Sequence, residues 1–393
     1  MKPFYKLIAT ILAIVGALCA GLYLGGHPEH LPSELREIFV EEERAVRAEI
    51  LEAIEDSYYK DVDEDELSEA SYKGIIRKLD DRFSHYFTPD ETDVFEEAVS
   101  GRFEGVGMTV QEHPRGLLVA TVFDDSPAEG AGLRRDDVIT HVNGQSIAGE
   151  PTDIATARIK GKPGTSVRLR FVESGTKRKR NVEVDRASIE IPVVDDALVR
   201  RDGAKLGSLR LYSFTDGAHG QLRRKVDELV RRGAEGILLD LRGNGGGLLR
   251  EAVLVASIFV EDGLIVSTKG RARPEREFEA EGDAIDGDIP VVVLVDKGTA
   301  SASEIVAGAL RDTERGLLVG ERTFGKGVFQ EIEPLSNGGA LDLVVGSYFL
   351  PEGENISEKG IAPEIKARDK PRTPKDEAEP VAVEELLELI EAR

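Results

Sequence analysis

The sequence predicts an α/β core with an inserted, mainly-β module and a helical region in front of it. Three observations carry that reading. After Arg186, short apolar runs alternate with amphipathic helical stretches, the pattern of strand, crossover and strand. Between about Gly101 and Arg186 the pattern shifts to short alternating strands punctuated by Gly, Pro and Asn. Before Gly101, apolar residues recur near helical spacing among many charges.

Composition bounds the classes of function. A length of 393 residues allows two or three domains with real cores, and 40% hydrophobic with 32% charged residues is globular rather than disordered. A formal net charge of −23 argues against a nucleic-acid partner, because phosphate binding needs clustered cations. The single cysteine, Cys19, lies in the N-terminal apolar run, so no intrachain disulfide can form and thiol chemistry is not a candidate. Asp61, Asp63 and Asp65 do not make a calcium loop, since the sixth position is Glu66 rather than glycine and the twelfth is Tyr72 rather than glutamate.

Element by element, the chain begins with an address. Lys2 and Lys6 precede an uncharged stretch from Leu7 to Gly26, long enough to cross a bilayer with the positive end inside. Residues 1–30 are therefore expected to be a membrane anchor or signal segment, with the rest of the chain extracytoplasmic. The anchor is preferred: the run is long for a signal peptide and Leu24-Gly25-Gly26 is a loose cleavage site. Lipidation at Cys19 is disfavoured because Leu18 stands where a small residue is expected. Residues 31–100 read as helical, with an amphipathic helix from Ser33 to about Ile54 and a second helical stretch ending in Leu79-Asp80-Asp81-Arg82-Phe83-Ser84-His85-Tyr86-Phe87. That amphipathic region is a candidate for homo-dimerisation, though such a helix more often packs on its own domain, and an activating adaptor is a further open partner.

The β module opens with Gly105-Val106-Gly107-Met108-Thr109-Val110 and continues with a strand from Leu117 to Phe123. A short helix follows in Ser126-Pro127-Ala128-Glu129-Gly130-Ala131-Gly132-Leu133, then a strand and turn in Asp136-Asp137-Val138-Ile139-Thr140-His141-Val142-Asn143-Gly144. In that order these landmarks resemble a PDZ domain, placed at 101–187. The resemblance implies that a protein C-terminus adds as a strand and that backbone N–H groups of Gly105, Val106, Gly107 and Met108 hold its carboxylate. Apolar tails are the expected guests, with the helix bearing Ile154, Ala157 and Ile159 flanking the groove.

In the core, Leu206 to Leu211 is a strand and Gly220 to Arg232 a helix with Leu222, Val226, Leu229 and Val230 on one face. Gly236 to Arg242 is a buried strand and Leu249 to Val260 a helix. Pro290 to Asp296 and Leu317 to Glu321 are strands separated by a Ser303 to Asp312 helix. The acidic, Pro-interrupted stretch from Arg271 to Asp288 reads as a surface excursion, and 370–393 as a linker with a last amphipathic helix.

Two segments carry the chemistry. Ser301-Ala302-Ser303-Glu304 before an apolar helix is a capping box by itself. Its setting, a strand delivering a small-residue turn to a helix mouth, also suits a nucleophile whose developing oxyanion meets N–H groups. None of His27, His30, His85, His113, His141 and His219 lies in either segment, so a serine nucleophile needs another base. Lys326, between Gly325 and Gly327, is the candidate. To act near neutral pH its pKa must fall from about 10.4 to about 7, which costs the ammonium about 4.6 kcal/mol. Burial beside Phe324 and Val328 is the expected cause. A lysine between glycines is otherwise an ordinary loop residue, and no Ser or Thr follows to make a phosphate-binding loop.

From about Leu79 to Asp369 the chain resembles the carboxyl-terminal processing (tail-specific) protease family. The resemblance rests on the stretch ending Ser84-His85-Tyr86-Phe87, the PDZ landmarks, Asp240-Leu241-Arg242-Gly243-Asn244-Gly245-Gly246-Gly247, Ser301-Ala302-Ser303-Glu304, Thr323-Phe324-Gly325-Lys326-Gly327-Val328-Phe329-Gln330 and Leu350-Pro351 with Gly360-Ile361-Ala362-Pro363. It implies a serine protease core at 188–369 with crotonase-like ββα repeats. Within it Ser301 is the nucleophile, Lys326 the general base, Gln330 the residue that orients the lysine, and the N–H groups of Gly247 and Ala302 the oxyanion hole. It calls for no cofactor, metal or nucleotide, and names protein tails as substrates. Two departures stand out. Lys160 occupies a position where the family often has arginine, which puts peptide-coupled activation through that residue in doubt because lysine lacks the planar fork. Asp80-Asp81 also lacks the family's Asp-Pro step. The rival readings are an inactive, membrane-tethered PDZ scaffold and a crotonase-like acyl enzyme. A relic would be expected to lose part of the Ser, Lys, Gln and glycine set, and the PDZ insertion and the lysine disfavour the acyl enzyme.

Overall fold

The computed structural model describes residues 14–17, 21, 42–370 and 375–393. Most of the expected membrane segment, Cys19 included, and the start of the Ser33 helix lie outside the described residues. Among the described residues no helix is long and apolar enough to cross a membrane. The chain divides into two units, Met1–Tyr86 and Phe87–Arg393.

The first unit holds α1 (Glu42–Ser57) and α2 (Glu64–Arg77). Asp63 caps α2, its carboxylate accepting from the Asp65 amide at 2.8 Å, so a side chain from the rejected calcium loop serves as a helix cap. Asp81 folds the following turn, accepting from Ser84 Oγ at 2.6 Å and the Phe83 amide at 3.0 Å. The chain then enters β1 (His85–Phe87), where Tyr86 is buried edge-on to Tyr72 with ring centroids 5.3 Å apart.

The second unit opens with α3 (Pro89–Ser100), started by a Thr88–Glu91 capping box and ended by Gly101 at φ +63°. The β module follows: β2 (Arg102–Gly105), β3 (Met108–His113), β4 (Gly116–Val122), α4 (Pro127–Gly130), β5 (Val138–Val142), β6 (Gln145–Ser146), α5 (Thr152–Ile159), β7 (Ser166–Val172), β8 (Lys179–Asp185) and β9 (Ala187–Glu190). Its sheet runs β3-β4-β5-β7-β8 with β6 on β5, and β2 pairs with β9 where the chain enters and leaves. Leu117, Val119, Ile139, Leu169 and Phe171 fill its core, together with Ala155 and Ile159 of α5. Ala155 and Ile159, four residues apart, point inward, whereas Ile154 is 49% exposed and Ala157 is also exposed.

The core contains β10 (Val194–Arg201), β11 (Ala204–Leu211), α6 (Ala218–Arg231), β12 (Gly236–Asp240), α7 (Leu249–Ser257), β13 (Leu264–Lys269), β14 (Arg276–Glu279), β15 (Val291–Val295), α8 (Ala302–Asp312), β16 (Leu317–Gly320), β17 (Val328–Pro334), β18 (Ala340–Phe349), β19 (Ile365–Lys366) and α9 (Ala378–Glu391). The main sheet runs β10-β11-β12-β15-β16-β19 and is parallel except for the edge strand β10. Every residue of β12 and β15 is buried, as expected of parallel strands covered on both faces. One face packs on α6, α7 and α8 through Leu222, Val226, Leu229, Ala252, Ile305 and their neighbours. The other is covered by α9, whose Ala378, Ala382 and Leu386 meet Leu206, Leu238, Val292, Leu294 and Val319. A second, antiparallel layer joins β17 to β18, β18 to β13 and β13 to β14. Its strand β14 lies inside the stretch Arg271 to Asp288, which is therefore partly strand rather than wholly a surface excursion.

Candidate active site

Three neighbouring parallel strands, β12, β15 and β16, end on the same edge of the main sheet, and the loops that leave them form the site. Crevices at the carboxyl ends of parallel strands are where open α/β sheets bind ligands. Hydrogen bonds bolt the first two loops together. Asp296 Oδ1 accepts from the Gly243 amide at 2.9 Å, and Thr299 Oγ1 donates to Leu241 O at 2.9 Å. The Asn244 carbonyl accepts from the Ala300 amide at 3.0 Å and from Ser303 Oγ at 2.9 Å. Asn244, only 1% exposed, anchors its own loop by donating to Leu211 O and accepting from the Gly246 amide.

Ser301 sits at the tip of the second loop, immediately before α8. Its backbone is at φ +56°, ψ −119°, a conformation L-residues adopt only under constraint. Such strain at a strand-to-helix turn lifts a serine side chain clear of the sheet edge, as in nucleophile elbows. Gly246 presses on this turn. A Cβ there would stand 2.7 Å from Ala300 O, 2.8 Å from Ser301 Cβ and 2.9 Å from the Ala302 nitrogen, so only glycine brings the two backbones this close. Gly247, at φ +145°, is packed against the Phe214 carbonyl. Neither the Gly247 nor the Ala302 N–H donates to an acceptor among the described residues.

The third loop carries Lys326, and Glu304 joins it to the serine turn. This carboxylate is fully buried in the first turn of α8. Its Oε2 accepts from the Ser301 amide at 2.9 Å and from the Lys326 amide at 3.0 Å. Its Oε1 accepts from the Gly325 amide at 2.7 Å and from Thr323 Oγ1 at 2.5 Å. The backbone nitrogens of Ser301 and Lys326 are thus no farther apart than the two bonds they make to one oxygen. The Phe324 amide adds a bond to Thr299 O at 3.0 Å. Behind the turn, Tyr348 of β18 is 1% exposed and its hydroxyl lies 3.4 Å from Ser301 O. Burial, with the Glu304 charge added, pushes the Tyr348 phenol well above its ordinary range, so it stays a neutral donor.

Lys326 Nζ donates to Gln330 Oε1, and Gln330 Nε2 donates at 2.5 Å to Asp342 Oδ2 on β18. The sequence residues Ser301, Lys326, Gln330, Gly247 and Ala302 are therefore all drawn to one end of the core. Lys326 is half-buried, and Phe324, expected to help bury it, is 45% exposed. The sequence reading missed Asp342, Asn244 and Tyr348. The signal for Asp342 was present as a lone acid in the strand pattern Ala340-Leu341-Asp342-Leu343. Asn244 stood within the quoted glycine-rich motif, but its anchoring contacts were not foreseen, and for Tyr348 the contact is long-range and left no local pattern.

The residues expected to hold a tail carboxylate lie in the β module. Gly105, Val106, Gly107 and Met108 join β2 to β3; the Val106 and Gly107 carbonyls accept from Ala128 and Phe123, while their own N–H groups donate to no acceptor among the described residues. The strand they feed, β3, is the edge of its sheet and lies beside α5. Lys160, at the C-terminal end of α5, places Nζ 2.6 Å from Glu97 of α3 and 5.8 Å from the Phe103 ring centroid.

Residues 205–367 match the sequence profile of peptidase family S41, and residues 118–173 match that of a PDZ domain. The carboxy-terminal processing protease CtpA of Bacillus subtilis is 36% identical over 319 residues, which cover 80% of this chain and 67% of that protein. A CtpA-like serine protease of Staphylococcus haemolyticus is 35% identical over 315 residues, 80% of this chain and 62% of that protein. The chain thus spans about two-thirds or less of the length of these relatives. Among solved structures, the photosystem II D1 C-terminal processing protease aligns at 29% identity with a TM-score of 0.49, covering 83% of this chain and 93% of that one. Sheet, serine turn and β module define a serine peptidase core that carries a PDZ domain. The chain belongs to peptidase family S41.

Proposed function

We propose that the protein is an endopeptidase that captures the C-terminal tails of other proteins on its PDZ domain and cleaves them through an acyl-enzyme at Ser301. Neutral Lys326 accepts the Ser301 hydroxyl proton as Oγ attacks the scissile carbonyl carbon, and the resulting oxyanion takes hydrogen bonds from the Gly247 and Ala302 amides. Lys326 then gives its proton to the leaving amine, the C–N bond breaks and an ester remains on Ser301. In deacylation Lys326 takes a proton from the attacking water and returns one to Ser301 Oγ as the ester bond breaks. Gln330, accepting from Lys326 Nζ, holds one N–H and so turns the amine lone pair toward Ser301.

The observation that carries this reading is the shared oxygen of Glu304, which fixes the serine turn and the lysine loop as one unit. The unbonded amides of Gly247 and Ala302 support the oxyanion role. The open edge of β3 and the free amides at Val106 and Gly107 support capture of an extended tail by strand addition, with Gly105 to Met108 around its carboxylate. The domain division that goes with this reading is 31–100 helical, 101–187 PDZ, 188–369 a crotonase-like protease core and 370–393 a linker with the last helix. Residues 7–26 would tether the enzyme to a membrane with its site on the extracytoplasmic side.

The test is cleavage of a protein with an apolar free C-terminus, beside the same substrate amidated at that end. Wild type should cleave the free acid faster, and Ser301→Ala and Lys326→Ala, each folded, should lose cleavage by a factor of about a thousand or more. Wild-type rates in either variant would sink the mechanism, and equal rates on acid and amide would sink carboxylate capture.

A further inference from the structure

Asp342 is an acid in a strand that otherwise reads as a packing element. It lies on β18 opposite Ile332 of β17, one step diagonal from Gln330, and is 6% exposed. A carboxylate placed there pays desolvation unless it holds donors, and one of its donors is the Gln330 side chain. We propose that Asp342 is a positioning residue for the base, setting which end of the Gln330 amide faces Lys326; this rests on the Ser–Lys reading above.

The chemistry of the two neighbours dictates the amide orientation. Asp342 Oδ2 accepts from the Gln330 NH2, which leaves the glutamine carbonyl oxygen for Lys326, whose Nζ carries N–H donors whether the amine is charged or neutral. The observed contacts follow that order, with Gln330 Nε2 on Asp342 Oδ2 at 2.5 Å and Gln330 Oε1 on Lys326 Nζ. Removing Asp342 takes away the acceptor that holds the Gln330 NH2 on this side, which favours the flipped amide. A flipped amide sets an NH2 against Lys326, where it competes for the lone pair that must reach the Ser301 proton. Asp342 therefore acts through Gln330, and its effect falls on the proton-transfer step rather than on tail binding.

The experiment measures kcat and KM on a tail substrate for wild type, Asp342→Ala, Asp342→Asn, Gln330→Ala and the double variant Asp342→Ala with Gln330→Ala. Asp342→Ala should lower kcat about tenfold with KM unchanged. Asp342→Asn, which keeps an acceptor oxygen, should recover to within about threefold of wild type. In the Gln330→Ala background, Asp342→Ala should cost nothing further, because its target is gone. Should Asp342→Ala not fold, Asp342→Leu, closer in shape to the acid, takes its place in the same comparison. Wild-type kcat in the Ala or Leu variant, or an undiminished loss when Gln330 is absent, would overturn the inference. Ser301→Ala run alongside separates the two levels: if it too cleaves normally, the Ser–Lys reading falls, whereas activity restricted to the Asp342 variants removes only the positioning role.

Discussion

Ser301 is held at φ +56° by groups on every side of it, and that strain is what distinguishes it from the helix cap its sequence describes. The capping box is kept, with the Ser301 amide on Glu304, and Glu304 makes its other bonds to the lysine loop. In sequence the two segments were each readable, but their connection was not. Nothing local announces that a glutamate three residues past the serine will reach Thr323, Gly325 and Lys326. Glu304→Ala should leave four donors facing a void and destabilise the protein by about 3 kcal/mol, read as a drop in denaturant midpoint. Gly246→Ala should be harmful for a different reason. Its new Cβ would strike Ala300 O and the Ala302 nitrogen, so kcat should fall at least about tenfold even where the protein still folds.

At the scale of elements, the parallel core was legible because its strands are continuous apolar runs and its helices keep a strict apolar face. In α6 the expected Leu222, Val226 and Leu229 are fully buried and Val230 is half-buried against them, and Leu222→Ala should cost about 2–5 kcal/mol, measured by thermal or denaturant unfolding. The antiparallel layer was not legible. Most residues of β17 and β18 are only half-buried, so neither strand shows a clean alternation, and β14 hides in an acidic stretch that looks like loop. That omission explains why Gln330 was placed by resemblance alone and why Asp342, on the next strand, was passed over. In α5, of the residues the sequence set beside the groove, Ile159 is buried in the core while Ile154 and Ala157 are exposed, a division that period alone does not give.

At the scale of the molecule, Arg242 ties the glycine-rich loop to the C-terminal helix. Its guanidinium, 11% exposed as a side chain, binds Asp240, Asp369 and Asp376. Burial works against that charge, but the bonds from Asp240 and Asp376 outweigh it and hold Arg242 above its ordinary range. Burial likewise opposes the Asp376 charge, yet the Arg242 bond and the Glu379 amide bring its pKa down from 3.8 to about 2. A carboxylate depressed in this way contributes stability that is complete above its unfolded pKa and is lost as pH falls through its folded one. The clamp should therefore hold above about pH 4 and weaken between about pH 4 and pH 2, and Asp376→Asn should flatten the melting temperature across that window. The PDZ edge belongs to the same scale: a charged or proline substitution at an outward position of β3 should weaken tail binding while leaving cleavage of a short, tail-independent peptide ester intact.

The most direct test of the central claim is the mass of the enzyme trapped during turnover of an activated acyl ester. A covalent acyl group should appear on the peptide that contains Ser301, be absent from Ser301→Ala, and form at least about a thousandfold more slowly in Lys326→Ala. Cleavage at the wild-type rate by Ser301→Ala, or an acyl group on any other side chain, would contradict it.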